Sequence, residues 1–240
     1  MRAARLATRW ANTNATKAAK RSVAMRAAPY EIVVKGAPPE IQKLGDCPFC
    51  HRVLLTMEEM EVPYETKLVD LGNKPDWLLE INPLGKVPVL RTGENEYMPD
   101  SDDICAFLEK EYPDQALGTP EGVKEVGSKV FPSFVAFFKS KDPSDGTEQE
   151  LLEQLQALND HLVKSGPFVG GQTVCMVDMA LAPKLHQMDL VLKKFKNWEV
   201  PEEMKAVKKY IALMRERPSF KATHYDDECV YMGWKKKLES

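Results

Sequence analysis

Between a short β-type run, Tyr30-Glu31-Ile32-Val33-Val34-Lys35, and an apolar helical pattern stands Gly45-Asp46-Cys47-Pro48-Phe49-Cys50. This passage from strand through loop to helix start constrains the chain more than any other feature. Proline has no amide hydrogen to lose and its fixed backbone angle suits the first helical turn, so Pro48 is read as the first helical residue and Cys47 as the N-cap. A sulfur in that position faces the positive end of the helix dipole, which favours thiolate over thiol. Val53, Leu54, Met57 and Met60 continue at helical spacing, and residues 63–69 read as a second strand. Two strands joined by a helix imply a βαβ crossover.

A short helix is expected over 77–81, followed by the turn Asn82-Pro83-Leu84-Gly85 and the strand-like Lys86-Val87-Pro88-Val89-Leu90. Pro88 cannot donate to a ladder, so it marks either a sheet edge or a cis bond that turns the backbone groups of Val87 outward. After a hairpin around Gly93, Asp100-Ser101 precede Ile104, Phe107 and Leu108 as a capped amphipathic helix. Residues 113–120, rich in proline and glycine, read as a linker between a domain at 29–112 and an all-helical one at 121–240. Helices are expected at about 122–139, 148–162, 175–195 and 201–215, which makes the fold class α/β plus all-α.

With 43% hydrophobic and 29% charged residues in 240, the chain can build one or two cored domains. It has no apolar run long enough to span a bilayer. Five scattered cysteines are an odd count, which argues against an extracellular disulfide framework and for a reducing compartment. Residues 1–28 hold seven Arg or Lys and no acid. An Ala-, Arg-, Ser- and Thr-rich leader of this kind reads as a disordered organellar transit peptide. A basic arm for nucleic acid is the alternative, which the acidic remainder of the chain does not support.

A Cys-x-x-Cys pair has three readings: zinc ligands, a redox dithiol, or coincidence. Structural zinc needs four ligands, and Cys105, Cys175 and Cys229 are isolated, so the βαβ context favours thiol chemistry and no metal. Cys50 falls one helical turn behind Cys47, either as a resolving thiol or as a small buried residue. Lys35, at the strand end, is either a solvated lysine or a positive charge directed toward Cys47. Asp46 should oppose a thiolate by like-charge repulsion, so its fitting roles are substrate contact or proton handling. Asp100-Ser101 at a helix start can hold an ammonium and a carboxylate together, or simply cap the helix. Val87-Pro88 offers main-chain hydrogen bonds to an extended peptide. Together these groups describe a slot for a short zwitterionic thiol peptide beside a reactive cysteine.

From Tyr30 to the C-terminus these residues resemble the glutathione transferase superfamily. Four segments look closely like plant dehydroascorbate reductases: residues 44–56 around the cysteine pair, Pro83-Leu84-Gly85-Lys86-Val87-Pro88-Val89-Leu90, Pro99-Asp100-Ser101-Asp102, and Phe138-Lys139-Ser140-Lys141-Asp142. The resemblance implies a thioredoxin-like N-terminal domain with a mixed four-stranded sheet and a C-terminal helical bundle. It implies Cys47 as nucleophile toward dehydroascorbate, with Lys35 and Asp46 lining the substrate and glutathione pocket. Lys74, Val87, Asp100 and Ser101 match glutathione contacts. Trp234, in Tyr231-Met232-Gly233-Trp234, matches an aromatic that closes over substrate and glutathione, or else pins the tail to the core. Glutathione is then a co-substrate, with no permanently bound cofactor, no nucleic acid partner, no stable membrane insertion, a monomeric state, and a chloroplast location with the mitochondrion as alternative.

Three departures from that pattern carry expectations. Relatives have Ser or Cys where this chain has Cys50, so the second thiol is dispensable to the shared chemistry. A pocket histidine of the family aligns at Gln187, and His186, one residue earlier, is turned from that position by about 100 degrees. The Ser/Thr-x-x-Asp capping box becomes Cys175-Met176-Val177-Asp178, a weaker cap because sulfur is a poor acceptor. Two rival functions share the site: a thiol transferase acting on mixed disulfides, and a redox-regulated protein resembling the chloride intracellular channels.

Overall fold

A computed structural model describes residues 28–38 and 42–239, so the transit-peptide reading lies outside the described residues except at Ala28. The crossover is present as β1 (Tyr30–Lys35), α1 (Pro48–Glu59) and β2 (Tyr64–Val69). β1 and β2 are parallel, with Tyr30 opposite Tyr64 and Lys35 opposite Val69. β3 (Val89–Arg91) runs antiparallel beside β1 and β4 (Tyr97–Pro99) antiparallel beside β3, giving the order β2-β1-β3-β4. Ile32, Val33 and Val34 are all buried although they point alternately to both faces, so β1 is covered on each side. The strand expected from Lys86 begins only at Val89, since Pro88 has no N–H for the ladder. The bond between Val87 and Pro88 is cis. α2 (Asp76–Ile81) and α3 (Ser101–Glu111) complete the first layer set.

Among the described residues, the rest is helical: α4 (Val130–Lys139), α5 (Thr147–Ser165), α6 (Met176–Lys196), α7 (Lys205–Glu216), α8 (Pro218–Ala222) and α9 (Asp227–Glu239). The helix expected from 122 starts eight residues later. Gly122 and Gly127 have φ of 79° and 72°, outside the helical range, and residues 121–129 form turns instead. α7 likewise begins at Lys205, after a turn closed by the Met204 N–H on the Pro201 carbonyl. α8 and α9 escaped the sequence pattern. The apolar anchors of α9 are few, chiefly Val230 and Trp234, among lysines and a glycine.

α1 lies between the sheet and α6, burying Cys50, His51 and Val53 to Met57. A bidentate pair ties the end of α1 to the start of α8: Arg217 Nε and Nη2 donate to the two Glu59 oxygens at 2.6 and 2.7 Å, and Ser219 Oγ donates at 2.5 Å. This seam holds the helical domain against the C-terminal end of α1, the helix whose other end carries the cysteine.

Candidate active site

Cys47 is the N-cap of α1, with φ −81° and ψ 111°, and Pro48 opens the helix. Its sulfur accepts the Cys50 N–H at 3.4 Å and lies 3.9 Å from the Val87 carbonyl oxygen, so the β3 approach loop faces it. The Cys47 pKa is lowered. The hydrogen bond from the Cys50 thiol is the largest cause; the Cys50 and Phe49 amides and the Lys35 charge add to it, and burial opposes them. Cys50 is buried and its pKa is pushed well above the usual value, first by burial and then by its bond to Cys47. Both shifts favour ionisation of Cys47 ahead of Cys50. Cys50 also acts through its backbone, whose N–H donates to the neighbouring sulfur.

Lys35 Nζ lies 2.5 Å from Asp46 Oδ1, and Asp46 is only 6% exposed. The ammonium offsets the carboxylate that would otherwise work against a thiolate next to it. Gly233 of α9 rests on this carboxylate: a Cβ there would fall 2.1 Å from Asp46 Oδ2, so only glycine lets α9 approach. Beside the pair opens a cavity of about 810 Å³, lined by Lys35, Asp46, Asn73, Met232, Lys235 and Lys236 among others.

Behind the cysteine loop, Gln187 is fully buried and donates from Nε2 to the Asp46 carbonyl at 2.5 Å and to Tyr225 Oη at 3.1 Å. Its Oε1 accepts the Trp234 indole N–H at 3.1 Å. The indole can only donate and the carbonyl can only accept, so the amide has one orientation that serves both. Trp234 is 1% exposed and packs on Phe134 and Phe138 with ring centroids at 4.6 and 5.1 Å. It does not wall the cavity; Gly233 and Met232 do. In place of a lid, Trp234 anchors α9 and holds Gln187. His186 turns elsewhere, accepting the Arg215 Nε–H on Nδ1 at 3.0 Å and packing on Phe220.

The remaining expected residues lie along one side of this centre. Asp100, with φ 78°, caps α3 by accepting the Asp102 N–H at 2.7 Å. Ser101 is buried with Oγ 3.5 Å from Arg52 Nη1, and Arg52 also pairs with Asp102 at 2.6 Å. Lys74 leans on the loop that leads to Val87, since a Cβ at Gly85 would meet its Nζ at 3.1 Å. Thus the fold gathers Cys47, Cys50 and Val87, pairs Lys35 with Asp46, and sets Trp234 behind them. Sequence reasoning missed Gln187 as a donor and Arg52 altogether. It also passed over Gly233, where a glycine inside a helix is costly enough to signal a close approach. No group of three or more His, Cys, Asp or Glu among the described residues is arranged to hold a metal.

A thioredoxin-like sheet with a cysteine at the first helix start, a cis-proline loop opposite, and an all-helical second domain define the glutathione S-transferase fold. The family models "Glutathione S-transferase, N-terminal domain" and "Glutathione S-transferase, C-terminal domain" match residues 46–111 and 144–213. The chain is 48% identical to glutathione S-transferase DHAR3, chloroplastic, of Arabidopsis thaliana, over 90% of this chain and 84% of the relative. It is 47% identical to a probable cytosolic glutathione S-transferase DHAR1 of Oryza sativa, over 88% of this chain and 99% of the relative. The crystal structure of Chlamydomonas reinhardtii dehydroascorbate reductase superposes with a TM-score of 0.78 at 40% identity, covering 87% of this chain and 98% of that one. The chain belongs to the dehydroascorbate reductase group of the glutathione S-transferase family.

Proposed function

We propose that this protein reduces dehydroascorbate to ascorbate at the expense of glutathione, with Cys47 as the nucleophile. The observation that carries the reading is the position of Cys47 as N-cap of α1, its sulfur accepting the Cys50 N–H and facing the Val87 carbonyl, a setting that also lowers its pKa. The Cys47 thiolate adds to a carbonyl carbon of dehydroascorbate. A glutathione thiolate then attacks the Cys47 sulfur, the carbon–sulfur bond breaks, and its electron pair leaves with ascorbate. The resulting Cys47–glutathione disulfide is attacked on the glutathione sulfur by a second glutathione, which frees oxidised glutathione and restores the thiolate. Two thiols are oxidised, one dehydroascorbate is reduced, and no metal enters the cycle.

In this scheme Lys35 and Asp46 contact the polar substrate from the large cavity. Val87 gives main-chain hydrogen bonds to glutathione, while Asp100, Ser101 and Lys74 hold its charged ends. Trp234 acts through Gln187, which fixes the Asp46 carbonyl. The decisive assay is glutathione-dependent ascorbate formation by protein lacking residues 1–28. Cys47→Ser abolishes turnover on this reading, and retained activity would overturn it. For location we propose the chloroplast, on the composition of the leader. Import of a reporter fused to residues 1–28 tests this, since relatives of nearly equal identity carry chloroplastic and cytosolic names.

A further inference from the structure

A second cavity, of about 370 Å³, shares no lining residue with the one beside Lys35 and Asp46. It opens between α1, the turns at 119–128 and the first half of α6, and Arg52 and Lys184 line it together with Asp102 and Glu125. The Asp102 carboxylate is engaged by Arg52 at 2.6 Å. Lys184 makes no ion pair among the described residues; its ammonium stands 5.7 Å from the ring centroids of both Phe49 and Phe131. Arg52, with a side chain only 13% exposed, keeps a buried Nε without a partner. Arg52, Lys124 and Lys184 thus face one cavity with the carboxylates of Asp102 and Glu125, and Asp102 is already taken by Arg52. Burial and then the Arg52 charge push the Lys184 pKa down, and the Asp102 charge offsets them only in part.

We propose that this cleft binds the second glutathione of the cycle, with one of its carboxylates on Lys184 and Arg52. The inference rests on the proposed function, because only that reaction consumes two glutathiones in turn. The first is held by its own disulfide to Cys47, in the slot bounded by Val87 and Ser101, so the second needs another hold. Distance permits it. Phe49, under Lys184, is two residues from Cys47, and Arg52 is five residues along α1, about 7.5 Å of helix rise. In an extended tripeptide of about 10 Å the thiol sits at the middle. The γ-glutamyl arm and the length of the Arg52 and Lys184 side chains add the reach that keeps a carboxylate in the cleft while the sulfur meets the disulfide. Glu125 at the rim suits the glutathione ammonium.

The test starts from protein loaded with labelled glutathione as the mixed disulfide at Cys47. Release of the label is followed at increasing glutathione, and separately with neutral 2-mercaptoethanol. Wild-type release saturates with glutathione. In Lys184→Gln the half-saturating concentration rises about tenfold or more, the size of one lost charge-assisted hydrogen bond. Lys184→Arg restores it, and release by 2-mercaptoethanol stays unchanged in both. Equal slowing by the neutral thiol, no change in Lys184→Gln, or an equal weakening of the first loading step would each overturn the assignment. Failure of the label to attach at Cys47 would instead count against the proposed function. The cleft is then judged by binding of S-methylglutathione to the reduced protein: two per chain in wild type and one in Lys184→Gln supports it, and equal numbers reject it.

Discussion

Burial raises the Cys50 pKa, and the Cys50 thiol, ionising later, is the first cause of the lowered pKa of Cys47. The two cysteines are therefore unequal by geometry, and substitution at the second should separate donor strength from size. Cys50→Ser keeps a hydroxyl donor, so alkylation of Cys47 by iodoacetamide at neutral pH stays near the wild-type rate. Cys50→Ala removes the donor and should slow that alkylation about three- to tenfold, the worth of one hydrogen bond. Equal rates in the two variants would assign the lowered pKa to the helix start and Lys35 alone. This much of the site was legible, because Cys47, Pro48 and Cys50 are neighbours in one turn and their geometry follows from local rules. Gln187 was not, since its partners Asp46, Tyr225 and Trp234 lie 141, 38 and 47 residues away. Gln187→Leu leaves a carbonyl and an indole N–H buried without partners, so it should lower unfolding stability by about 2–4 kcal/mol in urea titrations.

Elements with a strong local pattern, β1, α1 and β2, follow the sequence closely, whereas α4 and α9 show where pattern fails. The start of α4 is decided by positive φ at Gly122 and Gly127, and α9 by contacts that only the assembled fold supplies. The N-terminus of α6 lies between these extremes. Its cap is carried by Asp178, whose Oδ2 accepts the Cys175 N–H at 2.8 Å and whose Oδ1 accepts the Val169 N–H at 2.9 Å. The reciprocal position belongs to a sulfur, buried and with its pKa raised to about 11 by burial and then by the Asp178 charge. A hydroxyl accepts from the helix amides better than sulfur does, so Cys175→Ser should stabilise by about 0.5–1 kcal/mol, or about 1–3 °C in melting temperature. An unchanged or lower melting temperature would show that the carboxylate alone caps α6.

On the scale of the whole molecule, the two domains meet across a seam that contains buried imidazoles. His51 of α1 donates from Nε2 to Thr223 Oγ1 at 3.0 Å, a direction fixed because Thr223 gives its own proton to the Ser219 carbonyl. Its Nδ1 is buried without a partner, as is Nε2 of His186. Both rings pack on Phe220 and Tyr225. Burial lowers the His51 pKa to about 3, with the His224 charge adding, and lowers that of His186 to about 2, with Arg215 adding. In the unfolded chain both titrate near their ordinary value of about 6.5. The folded state stays neutral while the unfolded state takes up protons, so this stability is complete above about pH 6.5 and is lost as pH falls toward 3. With two protons bound only on unfolding, the slope approaches about 2.7 kcal/mol per pH unit. Glu59 enters later. Burial raises its pKa, but the bonds from Arg217 and Ser219 lower it further, so its contribution is lost only below the ordinary carboxylate range. The window from pH 6 to 5 therefore isolates the imidazoles. Urea midpoints should fall steeply across it in wild type and about half as steeply in His51→Gln. A flat wild-type profile would mean that water already reaches the seam between the domains.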